Sequence, residues 1–115
     1  MKLYLAGPMR GIPQFNFPAF YAAEALLQGQ GHEVFSPARA DERRHGAEFS
    51  LQSTDGDEHK AAAAGFSLRD ALGEDMAWIC KHAEGIALMP CWEKSSGAKA
   101  EWALAVALGL KFIYL

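Results

Sequence analysis

The chain has 115 residues, half of them hydrophobic, with 11 basic and 14 acidic side chains and a formal net charge of -3. That length suits one compact domain, residues 1–115, built around one core, and leaves no room for a second. The negative balance excludes the broad electrostatic attraction that holds proteins to nucleic acid or to anionic membranes. Neither partner is expected, although a single phosphate can still bind locally.

Lys2 to Ala6 reads as a short buried strand. It is too short, and too soon interrupted by Gly7-Pro8, to be a signal peptide, and no run reaches about 18 apolar residues, so a cytoplasmic location is expected. Gly7-Pro8-Met9-Arg10-Gly11 is a turn whose glycines permit backbone geometries closed to other residues. It lacks the glycine signature of dinucleotide folds and the lysine of a P-loop, which disfavours hydride transfer and nucleoside triphosphate hydrolysis. A helix is expected next, with Asn16 as N-cap, Pro18 in the first turn and Phe17, Phe20, Tyr21, Leu26 and Leu27 as apolar bulk, stopped by Gly29 and Gly31. His32 to Phe35 is a second strand, closed by Ser36-Pro37.

From Arg39 to His59 the sequence is polar and without sustained period, which reads as a mobile excursion within an insertion at about 39–66. A helical pattern resumes at Ala61 or Ser67 and runs to about Ala83, with Leu68, Leu72, Met76, Ile79 and Ala83 on one stripe. Ile86 to Met89 forms a third strand, the loop Pro90 to Gly97 leads into an apolar helix, and Lys111 to Leu115 forms a fourth strand. Short apolar strands alternating with helices imply a parallel sheet covered on both faces, an α/β sandwich of three layers, flavodoxin-like or Rossmann-like. Ligands in such sheets bind beyond the carboxyl ends of the strands, where the Gly7 turn and the Trp92 to Gly97 loop both emerge.

Glu101 is the most informative residue. At helical spacing it aligns with Leu104, Ala105 and Leu108, the stripe expected to face the core, so its charge is either paired or functional. Asp75 is spaced with Trp78, Ile79 and His82, which puts it over the sheet edge unless it is a surface acid paired with Arg69 or Lys81. Arg10 can fork onto a phosphate or serve as an ordinary surface arginine. Ser96 either contacts that phosphate or caps the helix, and Trp92 either stacks on a nucleobase or anchors its loop. Cys80 and Cys91 match neither a metal knuckle nor a redox pair, and the four histidines have no ligand spacing with them, so free thiols, no metal and no cofactor are expected.

Tyr4-Leu5-Ala6-Gly7-Pro8-Met9-Arg10-Gly11, Asn16-Phe17, Asp75-Met76-Ala77-Trp78-Ile79, Ser96-Gly97-Ala98-Lys99-Ala100-Glu101 and Leu108-Gly109, in that order, resemble the nucleoside 2-deoxyribosyltransferase-like superfamily. Its small phage and bacterial members, related to deoxynucleoside 5'-monophosphate N-glycosidases, are the most similar. The match spans most elements except residues 39–66. The resemblance implies a parallel sheet of order 2-1-3-4, and Glu101 as the nucleophile that attacks the anomeric carbon of the sugar. It implies Asp75 as a helper near base or sugar, and Tyr4 as the group that holds the nucleophile. Gly7, Arg10, Gly11, Ser96 and Gly97 are implied to bind a 5'-phosphate. Two positions depart from the pattern: Glu84, where aspartate is frequent, and Pro8-Met9, where several hydrolases carry a small hydroxyl residue. The expected activity is cleavage or transfer at the N-glycosidic bond of a 2'-deoxynucleoside or its monophosphate, by a homo-oligomer. The alternative is a non-catalytic nucleotide-binding or interaction module on the same fold.

Overall fold

The structure, a computed structural model, describes residues 1–46, 56, 57, 60, 62, 65 and 67–115. Strands β1 (Lys2–Ala6), β2 (Glu33–Phe35), β3 (Gly85–Leu88) and β4 (Lys111–Tyr114) pair in parallel in the order β2-β1-β3-β4. Leu3 lies opposite Val34 on one side and Gly85 on the other, and Ile86 lies opposite Phe112. Between the strands run helices α1 (Phe17–Gly29), α2 (Pro37–His45), α3 (Leu68–His82) and α4 (Ser96–Leu108). This is the expected three-layer α/β sandwich with the expected strand order.

The alternation of side chains along a strand sorts the core into two halves. Leu3, Leu5 and Ala87 pack with Phe17, Phe20 and Leu27 of α1 on one face. Tyr4, Ala6, Ile86 and Leu88 pack with Ile79 of α3 and Ala98 and Ala105 of α4 on the other. Because β1 connects outward to β2 and β3 outward to β4, the chain reverses its winding between β1 and β3. The carboxyl ends of these two strands therefore border a crevice. Gly7 sits at that point, where an added Cβ would lie only 2.8 Å from the sulfur of Met89.

Several local expectations need correction. Residues 39–45 are not an excursion but most of α2. This helix buries only Pro37, Ala38, Ala40 and Asp41, and polar contacts fasten it on both sides. Toward α1, Arg39 Nε donates to Glu24 Oε1 at 2.9 Å and the Tyr21 hydroxyl donates to Glu42 Oε2 at 2.9 Å. Toward α3, Arg44 pairs with Glu74, and Arg43 reaches the same carboxylate at 3.5 Å. Of the rest of the expected insertion, Gly56 is buried and accepts a hydrogen bond from Gly11 N–H at 2.8 Å. Residues 47–55, 58, 59, 61, 63, 64 and 66 lie outside the described residues.

The buried stripe of α3 is Ala71, Asp75 and Ile79, while Leu68 is 37% exposed. On α4 it is Ala98, Glu101 and Ala105, while Leu108 faces outward at 45% exposure. Asn16 precedes α1 but makes no side-chain cap; its amide donates to Pro8 O at 2.9 Å instead. No helix among the described residues is long and apolar enough to cross a membrane.

Candidate active site

Tyr4 is the foundation of the site. Its ring is fully buried on β1 and stacks on Phe35 at 5.7 Å, which stacks in turn on Trp78 at 5.0 Å. A ring so held presents its hydroxyl in one direction, and that hydroxyl donates to Glu101 Oε2. Glu101 comes to meet it because α4 begins at a defined point: Ser95 Oγ accepts from Ala98 N–H at 3.1 Å, satisfying an otherwise orphaned amide of the first turn. One turn further on, Glu101 points inward at 5% exposure.

Asp75 enters from α3, also 5% exposed, and its Oδ1 has no hydrogen-bond partner among the described residues. Burial pushes its pKa up to about 7, with the nearby Asp41 carboxylate adding to the rise and Tyr4 and Arg44 opposing it. Burial likewise holds the Glu101 carboxyl well above the ordinary carboxylate range; the Tyr4 hydroxyl favours the anion, and the charge of Asp75 disfavours it. Glu101 takes part in no ion pair among the described residues. Two buried carboxyls, both raised chiefly by burial and with one phenol beneath them, form a site that favours holding a proton near neutral pH.

The two carboxyls line a cleft together with Gly7, Met9, Arg10, Phe15, Asp41, Leu68, Leu72, Ser95 and Gly97. Its enclosed volume is about 70 Å³, below the roughly 300–1,000 Å³ of pockets that swallow a drug-sized ligand. A second hollow of about 220 Å³ adjoins it, lined by Pro8, Met9, Arg10, Lys94, Ser95 and Ser96, and Met9, Arg10 and Ser95 belong to both. A ligand of nucleotide size would thus spread across both hollows. The second is at the N-terminus of α4, where unpaired amides and the helix dipole favour an anion, and Arg10 and Lys94 add charge of the same sense.

The chain belongs to the family described as a domain of unknown function, DUF4406, whose model matches residues 1–114. No curated protein and no solved structure matches it. The match takes in every residue of the cleft.

The structure brings together Tyr4, Asp75, Glu101, Gly7, Arg10 and Gly97 as expected, with Ser96 next to them, where its hydroxyl accepts from Arg10 Nη2 at 2.5 Å. The helix cap is Ser95, so Ser96 is left for the hollow. Two expected binders are elsewhere. Trp92 stacks on Trp102 at 5.7 Å and is not among the residues of either hollow, which is the loop-anchor role. Gly11 directs its N–H to Gly56 rather than toward a ligand.

Asp41, Lys94, Ser95 and Phe15 are among the lining residues not expected from the sequence. Phe15 is delivered by a 3-10 turn in which Gln14, Phe15 and Asn16 all have left-handed φ values of 56°, 51° and 62°. Side chains disfavour that conformation by roughly 1–2 kcal/mol per residue. The hydrogen bond that the Asn16 side-chain amide donates to Pro8 O holds the turn in place and leaves Phe15 buried against the cleft.

Proposed function

We propose that this protein cleaves the N-glycosidic bond of a 2'-deoxynucleoside or its 5'-monophosphate, by hydrolysis or by transfer to a second base, through a glycosyl intermediate on Glu101. One observation carries the reading: a buried glutamate outside any described ion pair, held by a phenol, shares a cleft with a second carboxyl whose pKa is near 7. A non-catalytic module would be expected instead to lock such a charge in an ion pair, away from any cavity.

The residues suit the chemistry. The Glu101 carboxylate attacks the anomeric carbon as the bond from that carbon to the base nitrogen breaks, and the bonding pair leaves with the base. Asp75, whose carboxyl burial raises to a pKa of about 7, supplies the proton that makes the base a better leaving group. Tyr4 keeps its hydrogen bond to one carboxylate oxygen while the other bonds the sugar. In the second half, the Asp75 carboxylate takes a proton from water or from the N–H of an incoming base, which displaces Glu101 from the sugar. Two displacements at one carbon give net retention. A 2'-deoxy sugar is favoured because an electron-withdrawing 2'-hydroxyl opposes the positive charge that develops at the anomeric carbon.

Arg10, Lys94, Ser96 and the start of α4 supply the site for a 5'-phosphate. Self-association belongs to the same reading: Trp102, Val106 and Leu108 leave apolar surface exposed on α4, and light scattering should give a mass above the 12.5 kDa of one chain. The deciding experiment incubates the protein with ribo- and deoxynucleosides and their monophosphates, with and without a second base, and follows free base by chromatography. Release that Glu101→Ala abolishes supports the proposal. No release from any member by folded protein would return the function to a binding module.

A further inference from the structure

The cleft has a third carboxylate that this chemistry does not use. Asp41 of α2 is 5% exposed and lines the cleft with Asp75 and Glu101. Its Oδ1 accepts from Arg44 Nη2 at 2.5 Å. Asp75 Oδ1, on the same cleft, is buried and has no hydrogen-bond partner among the described residues. Buried acceptors without donors are unfavourable, and the neighbouring Phe15, Leu68 and Leu72 offer none. A ligand in the cleft can bring them.

The layout says which part of the ligand that is. With the anomeric carbon at Glu101 and a phosphate at Arg10, Lys94 and Ser96, the base is left to the side of the cleft formed by α2 and α3, among Asp41, Leu68 and Leu72. We propose that Asp41 is a specificity-determining residue that accepts a hydrogen bond from an exocyclic amino group of the base, selecting adenine, cytosine or guanine over hypoxanthine, uracil or thymine. The inference rests on the glycosidase reading of the site. An oxo group in that place would set a carbonyl lone pair against a carboxylate. Arg44 opposes the protonating effect of burial on Asp41, whose pKa of about 6 leaves it mostly anionic at neutral pH.

The test uses Glu101→Gln protein, which holds ligand without turnover, and calorimetric titration with nucleotides that differ only in amino against oxo or hydrogen: dAMP and dIMP, dCMP and dUMP, dGMP and dIMP. In a pair that binds, the amino member should bind about 10- to 100-fold more tightly, the range expected when one buried hydrogen-bonding group is left unmatched. Asp41→Asn in the same background then gives a directional result. Arg44 can only donate, so the amide oxygen must face it and the NH₂ must face the ligand. The preference should collapse or reverse toward dIMP or dUMP.

Equal affinity within every pair overturns the inference but not the glycosidase reading. So does an Asn variant that weakens both members and keeps their ratio, because Asp41 would then act only on the shape of the cleft. If the Asn variant fails to fold, the pair ratios in Glu101→Gln alone decide. Failure of every nucleotide to bind overturns both this inference and the reading beneath it.

Discussion

The Tyr4 hydroxyl donates to Glu101 Oε2 across 97 residues of sequence, joining the central strand β1 to α4 beneath the cleft. The bond favours the anion of a carboxyl that burial drives toward its neutral form. Tyr4→Phe keeps the stacked ring and removes only the donor, so the fold should survive. Turnover should fall about 10- to 100-fold, since a hydrogen bond to a charged group contributes roughly 1.5–3 kcal/mol. The acid limb of the profile of kcat/KM against pH should also move upward, because Glu101 would hold its proton to higher pH. An unmoved acid limb would mean that the phenol positions Glu101 without tuning it.

Glu101→Gln should abolish turnover while melting within a few degrees of the parent, because the amide fills the same volume and still accepts from Tyr4. Base release measured by chromatography, together with a melting curve, checks both halves. Turnover that survives this substitution removes Glu101 from the mechanism.

Asp75 predicts the opposite limb. A general acid whose pKa is about 7 loses its proton as the pH rises through that value, so activity should decline on the alkaline side. Asp75→Asn should lower kcat by roughly 100- to 10,000-fold and flatten that decline. Rates measured from pH 5 to 9 on parent and variant decide. An alkaline limb that persists in the variant belongs to some other group.

Arg10 separates substrates by their phosphate. Arg10→Ala should raise KM for a 5'-monophosphate about tenfold or more and leave a free nucleoside within about twofold, because the lost charge acts only on the anion. The KM ratio of the parent should also shrink with added salt, as expected for an exposed cationic site. Equal losses on both substrates would make Arg10 a structural partner of Ser96 rather than a phosphate binder.

The fold was legible because each strand is a short apolar run with a helix after it, a pattern with few topological solutions. Glu101 and Asp75 were legible because a carboxylate at a core position of an amphipathic helix is an anomaly that spacing alone exposes. Helix α2 was not, and its chemistry explains why. Ala38 and Ala40 are too small to give an apolar period, and its attachment runs through Arg39, Arg43 and Arg44 to acids on other helices. Such pairing depends on tertiary neighbours that a local window does not contain. Asp41 was lost with it, although its spacing of three from Arg44 was an available sign of a helical ion pair. Trp92 stayed open between two readings for a different reason: an aromatic residue in a loop reads the same whether its partner is a base or, as here, Trp102.

The same buried acids predict how stability depends on pH. An unfolded chain releases the Asp75 proton near 3.8, whereas the folded protein retains it to about 7. Between those values the folded state binds more protons, so stability falls as pH rises and levels off above about 8. Asp41, raised to about 6, and Glu101, also raised, act in the same direction. Other groups titrate too, and comparison with Asp75→Asn isolates the contribution of this one carboxyl. The amide does not ionise, so the variant should match the parent near pH 4 and become progressively more stable than it up to pH 8, by an amount on the order of a few kcal/mol. Denaturant unfolding at pH 4, 6 and 8 reads this difference directly. If the gap between variant and parent stays constant over that range, Asp75 is ionised in the folded protein as it is in the unfolded chain. The cleft would then keep no proton for the departing base.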